Sequence, residues 1–197
     1  MTTVEFHFDF GSPNAYLAHR AIPQIEQRTG ATFRYVPVLL GGVFKATNNV
    51  SPAQSLQGIK NKPEYTQIET RRWLAEYQLN PYTPNPNFPV NTLQIMRGAV
   101  FAESTDYYAQ YIEAVYVSMW EQALKMDDAE VVIAALDAAN LQTQEILAGA
   151  QQPQVKQQLI ANTEDSVKRG TFGSPTFYLG DEIYFGKDSL AALEQAL

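Results

Sequence analysis

The chain has 197 residues, enough for one large domain or two small ones with a real core, and its 45% apolar and 18% charged residues mark a globular protein rather than a disordered one. Lys and Arg number 14 against 21 Asp and Glu, and the formal charge of -7 excludes the broadly basic surface that nucleic acid or anionic lipid needs. There is no cysteine, which excludes disulfides, Cys-ligated zinc, iron–sulfur clusters and any mechanism that uses a thiol of the protein itself.

The opening MTTVEFHFDF has neither a basic start nor an apolar run ending in small residues, so it does not read as a secretion signal, and a cytoplasmic enzyme is the expectation. No stretch approaches the ~20 apolar residues of a membrane span. Val4, Phe6, Phe8 and Phe10 alternate with Glu5, His7 and Asp9, which predicts a strand ended by Gly11. Ser12 as N-cap and Pro13 at the first helical position then predict a helix start. Ala15, Ala18, Ile22 and Ile25 continue that helix, Pro23 should kink it, and Gly30 closes it. Residues 32–40, rich in β-branched and aromatic side chains, predict a second strand.

Strand-like alternation then gives way to helical stripes. Helices are predicted near 64–79, 91–104, 106–125, 128–139, 143–149 and 153–169, with a Pro/Asn-rich loop over 80–89. Tyr108, Tyr111, Ile112, Val115 and Met119 form one apolar stripe, and Val155, Leu159, Thr163 and Val167 another; Asp127 or Asp128, and Thr143, are candidate caps. After Gly170, strands at 176–179 and 183–185 flank a Gly180-Asp181 turn, and a helix follows over 188–197. The order βαβ, helical block, ββα predicts an α/β protein in which a sheet domain, residues 1–40 plus 171–197, carries an inserted all-helical domain, residues 41–170.

Two motifs carry chemistry. Ser12 stands where a hydroxyl and the N–H groups of a helix start can together favour an anion, although the same Ser-Pro pair serves as a plain cap in many helices. Gly173-Ser174-Pro175-Thr176-Phe177 enters the late hairpin, and its Ser-Pro bond is a candidate cis peptide. His7 and His19 have no Cys, His or carboxylate spacing that suggests metal, and no metal site is expected.

Together these features resemble the thioredoxin fold with a helical insertion, as in the DsbA-like family. In that family the helix start carries Cys-Pro-x-Cys, facing a cis-proline loop; here Ser12-Pro13-Asn14-Ala15 stands in its place, so thiol–disulfide exchange by the protein itself is excluded. A narrower resemblance covers nearly the whole chain. Phe8-Asp9-Phe10-Gly11-Ser12-Pro13-Asn14-Ala15-Tyr16-Leu17-Ala18 is similar to the FDFxSPxxYLA opening of 2-hydroxychromene-2-carboxylate isomerases and kappa-class glutathione transferases. Leu40-Gly41-Gly42-Val43-Phe44-Lys45, Lys62 with Tyr65, Arg72-Trp73, Phe88-Pro89-Val90-Asn91-Thr92-Leu93 with Arg97, the Gly173 to Phe177 segment and Phe185-Gly186-Lys187-Asp188 follow in the order of the isomerase segments. The match is imperfect: Gly11 fills the variable position before Ser12, and the 80–88 loop lacks the common Gly-Ile-Pro.

The resemblance implies that the missing sulfur belongs to bound glutathione. On that reading Ser12 and Pro13 meet the thiol, Ser12 as the catalytic residue that favours thiolate; the Ser174 backbone beside Pro175 pairs with the glutathione peptide; and Lys187 and Asp188 hold its γ-glutamyl end, with Asp188 also a candidate cap. Asn49 is the implied glutathione-contacting Asn, with Asn48 nearly as good a candidate, here assigned to substrate. Lys62 is a further cofactor-binding cation, Lys45 is placed at the carboxylate of an aromatic substrate, and Tyr82 is a candidate substrate wall. Arg72 and Arg97 read as supports of the helical domain. The implied function is glutathione-dependent isomerisation of an aromatic 2-hydroxy carboxylic acid, in a homodimer. The alternatives are a kappa-type transferase or peroxidase, and a redox-inactive thioredoxin-fold binding module.

Overall fold

A computed structural model describes residues 2–79 and 82–197. Residues 80 and 81, the first of the predicted 80–89 loop, lie outside the described residues, as does Met1. The four strands β1 (Thr3–Phe8), β2 (Thr32–Pro37), β3 (Thr176–Leu179) and β4 (Glu182–Phe185) form one sheet in the order β2-β1-β3-β4. β1 runs parallel to β2, with Thr3 opposite Thr32 and Phe8 opposite Pro37, and antiparallel to β3, which pairs antiparallel with β4. A parallel pair needs a crossover, and α1 (Pro13–Thr29) supplies it.

The helices between β2 and β3 are α2 (Leu40–Thr47), α3 (Pro52–Ser55), α4 (Lys62–Glu76), α5 (Leu93–Ala102), α6 (Tyr108–Trp120), α7 (Ala129–Ala138), α8 (Thr143–Gly149) and α9 (Pro153–Lys168). A 3-10 turn (Lys187–Ser189) leads into α10 (Leu190–Ala196). Among the described residues no helix is long and apolar enough to cross a membrane.

The βαβ beginning and ββα end are as predicted, but several boundaries are not. β1 stops at Phe8 because Asp9 turns its carboxylate onto the next loop, while Phe10 donates its N–H to Met96 Sδ and accepts from Trp120 Nε1. Phe10 is nonetheless fully buried, so the alternation reported burial rather than pairing. β2 ends at Pro37, which has no N–H for the ladder, instead of reaching residue 40. α1 runs through Pro23 as one element, with that ring on its exposed face. α2 and α3 were not predicted: paired glycines at 41 and 42 depress helix propensity.

Of the candidate caps, Asp128 caps α7 by accepting from the Glu130 N–H, whereas Asp127 instead takes Lys125 and the Asn91 N–H. Thr143 is not a cap; its hydroxyl donates to Asp137. Asp188 caps nothing either, since its carboxylate takes the Lys187 ammonium.

The core runs from the sheet into the helices without a break. Phe6 stacks on Phe177 at 5.2 Å, Phe8 meets Phe10 at 5.2 Å, and Phe10 meets Tyr116 of α6 edge-on at 4.8 Å. Each such ring contributes about 1.5–3 kcal/mol on burial. This aromatic spine anchors the turn that follows β1, and with it the start of α1.

Candidate functional site

The turn between β1 and α1 is fixed at every polar group that matters. Ser12 is 4% exposed; its Oγ accepts from the Ala15 N–H at 3.1 Å as N-cap and donates to the Ser174 carbonyl at 2.7 Å. The Ser174-Pro175 peptide is cis, and the Ser174 hydroxyl accepts from the Asp9 N–H at 3.2 Å. Residues 12 and 174, remote in the chain, are thus in direct contact at the N-terminus of a 17-residue helix. The aligned peptide dipoles of such a helix place partial positive charge there.

Asp9 is the residue that sequence reading passed over. It is 1% exposed, and its two carboxylate oxygens accept from the Gly11 N–H at 2.8 Å and the Leu40 N–H at 2.7 Å. Thr92 adds a side-chain hydrogen bond. Burial pushes this carboxyl above the usual aspartate range, against the lowering effect of those donors. One side chain therefore ties the Ser12 turn to the start of α2, a helix with no side-chain cap of its own. A charged residue flanked by Phe8 and Phe10 was the available sequence signal.

Asp9, Gly11, Leu40, Gly41, Phe44, Asn49, Phe88, Pro89 and Thr92 line a cavity of about 310 Å3 that reaches Gly11, the residue before Ser12; Ser12, Ser174 and Pro175 are not among its walls. The Phe88-Pro89 peptide is cis as well. Asn49 donates its amide to the Phe172 carbonyl at 2.9 Å, which fastens the 47–50 segment to the strand-entry loop just before Ser174. Asn48 is exposed, forms the left-handed end of α2 with φ of 53°, and does not line this cavity. Gly186 donates its N–H to the Pro175 carbonyl at 2.9 Å, so Lys187 and Asp188 follow directly from the Pro175 loop. The Lys187 ammonium is buried, ion-paired with Asp188 and 5.5 Å from the Trp73 ring centroid, while the Asp188 side chain is 71% exposed.

Lys45, Lys62 and Tyr82 are not brought to the cavity. Lys45 lies on the other face of α2. Lys62 opens α4, roughly 16 Å along that helix from Trp73 at 1.5 Å per residue, with its ammonium 5.7 Å from the Tyr65 ring. Tyr82 is stacked between Tyr16, at 6.0 Å, and Trp120, at 6.2 Å. Among the described residues no Lys or Arg lines the cavity, and the one carboxyl that does, Asp9, already takes the N–H at the start of α2. No cluster of three His or acidic residues able to hold a metal occurs among the described residues. The two histidines serve elsewhere: His7 joins Glu5 to Ser166, and His19 joins Tyr35 to Glu113.

Comparison with known proteins extends this picture. The family model for a DSBA-like thioredoxin domain matches residues 3–197. A 2-hydroxychromene-2-carboxylate isomerase of Pseudomonas putida is 27% identical over 98% of this chain and 93% of its own. A kappa 1 glutathione S-transferase of Caenorhabditis elegans is 25% identical over 94% of this chain and 86% of its own. A solved 2-hydroxychromene-2-carboxylate isomerase superposes with a TM-score of 0.83 at 28% identity, covering 98% of this chain and 93% of that one.

Proposed function

The chain belongs to the DSBA-like thioredoxin-domain family, and from that premise we propose that it is a glutathione-dependent isomerase of an aromatic 2-hydroxy carboxylic acid, of the 2-hydroxychromene-2-carboxylate type. The observation that carries this reading is the contact of Ser12, at the start of α1, with the backbone of Ser174 beside cis Pro175, in a chain that has no cysteine. On this reading the sulfur that the chain lacks comes with a ligand. The isomerase relatives and the solved isomerase cover almost the full length of the chain and support the same reading.

The donor set fits glutathione. Ser12 and the first turn of α1 would receive the sulfur, with Pro13 fixing the turn; the Ser174 backbone beside Pro175 would pair with the peptide; and Asn49 lines the neighbouring cavity. Asp188 would accept from the γ-glutamyl ammonium, held in place by the buried Lys187. When bound, glutathione would supply a thiolate for reversible addition, chemistry that needs no net redox change. For this to happen the Ser12 hydroxyl must turn from the Ser174 carbonyl toward the ligand, while its Ala15 cap bond can stay. The cavity walls Phe44, Phe88 and Pro89 suit a flat arene. Asn48, Lys62 and Tyr82 do not line this cavity and take no part in the proposed site.

Calorimetry with glutathione, followed by turnover of 2-hydroxychromene-2-carboxylate with and without it, tests the proposal. Glutathione-stimulated isomerisation is expected, and absence of glutathione binding would overturn it in favour of a binding module. The kappa relatives favour one alternative, transfer to an electrophile. A stable glutathione adduct with an aryl halide, without isomerisation, would establish that reading instead.

A further inference from the structure

α2 has two faces, and only one belongs to the Ser12 cavity. Gly41 and Phe44 line that cavity, whereas Gly42 and Lys45, one step on in each case, line a groove on the other side between α2, α5 and α9. The groove has a volume of about 360 Å3. That is the lower end of the roughly 300–1,000 Å3 range of small-molecule pockets.

Its walls are aliphatic: Leu39, Leu93, Leu159, Ile160 and Val167 face it, and no aromatic ring lines it. Ile160 is 58% exposed at this groove. Three cations ring these walls: Lys45 from α2, Arg97 from α5 and Lys156 from α9. One carboxylate, Glu164, faces the same space. Among the described residues none of the three cations makes an ion pair. The Arg97 Nε is buried without any hydrogen-bond partner. A buried donor left unpaired is costly, and a planar guanidinium is suited to a carboxylate. In a chain of charge -7, three unpaired cations around one apolar trough make a local exception.

We propose that this groove is a second ligand site that takes a small aliphatic carboxylate, its chain on the leucine and isoleucine walls and its head group among Arg97, Lys45 and Lys156. Charge complementarity selects an acid over a neutral lipid, and the lack of aromatic walls separates this ligand from the arene proposed for the Ser12 cavity. The site stands independently of the glutathione reading, because α2 lies between the two cavities.

Calorimetric titration of the full chain with octanoate tests it, with octan-1-ol and the Lys45→Gln/Lys156→Gln double variant as controls. Both lysines are on the surface, and circular dichroism checks that the variant folds. Octanoate should saturate a single site, octan-1-ol should bind at least about tenfold more weakly, and the double variant should lose about tenfold in octanoate affinity. Saturating glutathione should leave octanoate binding unchanged. The proposal is overturned if octanoate gives no saturable heat, if the alcohol or the double variant binds as well as the wild-type pair, or if glutathione displaces octanoate. It is equally overturned if sedimentation shows a dimer that octanoate dissociates, since the groove would then hold a second copy.

Discussion

The two faces of α2 present polar groups in opposite ways. On the Ser12 face the donors are neutral and already paired: the Gly11 and Leu40 N–H groups donate to Asp9, the Ala15 N–H to Ser12, the Ser12 hydroxyl to Ser174 and the Asn49 amide to Phe172. On the other face the cations of Lys45, Arg97 and Lys156 are unpaired against aliphatic walls. A preorganised set of dipoles fixes where a reacting atom sits and costs little to reorganise, which suits chemistry. Loose full charges beside apolar surface attract without fixing geometry, which suits binding.

The contrast breaks most completely at Asp9. Asp9→Ala leaves two backbone N–H groups unpaired in the interior, and urea unfolding should show a loss of about 3 kcal/mol together with loss of glutathione binding. A variant as stable as wild type would mean that the turn does not depend on this carboxylate.

A next, pH-dependent effect belongs to the outer face of the sheet, where charges are paired rather than loose. Burial pushes the Glu5 carboxyl up, but hydrogen bonds from His7 and Arg169 and the charges of Arg169 and Arg34 outweigh it and hold the carboxyl at about 2. A carboxylate depressed on folding stabilises above its unfolded pKa, and this contribution is lost as pH falls from 4.5 toward about 2. Burial also lowers the His7 pKa despite the Glu5 partner, so the folded protein binds fewer protons there and stability declines as pH drops below 6.5. Thermal melts should therefore fall through both windows, and Glu5→Gln should flatten the lower one.

The smallest effect compares two caps. Ser12 and Asp128 each accept an N–H at a helix start, and Ala at either position should cost about 1 kcal/mol in urea unfolding. Only Ser12→Ala should also weaken glutathione binding. Equal glutathione heats for the two variants would reduce Ser12 to a cap.

Much of this was legible in the chain. The cap pair Ser12-Pro13 and the Ser174-Pro175 turn are local signals, and their pairing followed from a resemblance that spans whole segments. Asp9 was harder to read because its partners, Leu40 and Thr92, are 31 and 83 residues away in sequence. Lys45 was placed with the substrate by its segment, but helical periodicity turns it to the far face, which only a defined helix at 40–47 could reveal. Tyr82 looked available in a Pro/Asn loop and is instead fixed between two rings.

The central claim is that Ser12 and the start of α1 stabilise a ligand's thiolate. Ultraviolet titration of the glutathione thiolate, bound to the wild type and to Ser12→Ala, tests it directly. The account predicts that the bound thiol ionises at lower pH than free glutathione in the wild type, and that Ser12→Ala moves its ionisation back toward the free value. A bound thiol that titrates at the free value in both proteins would contradict it.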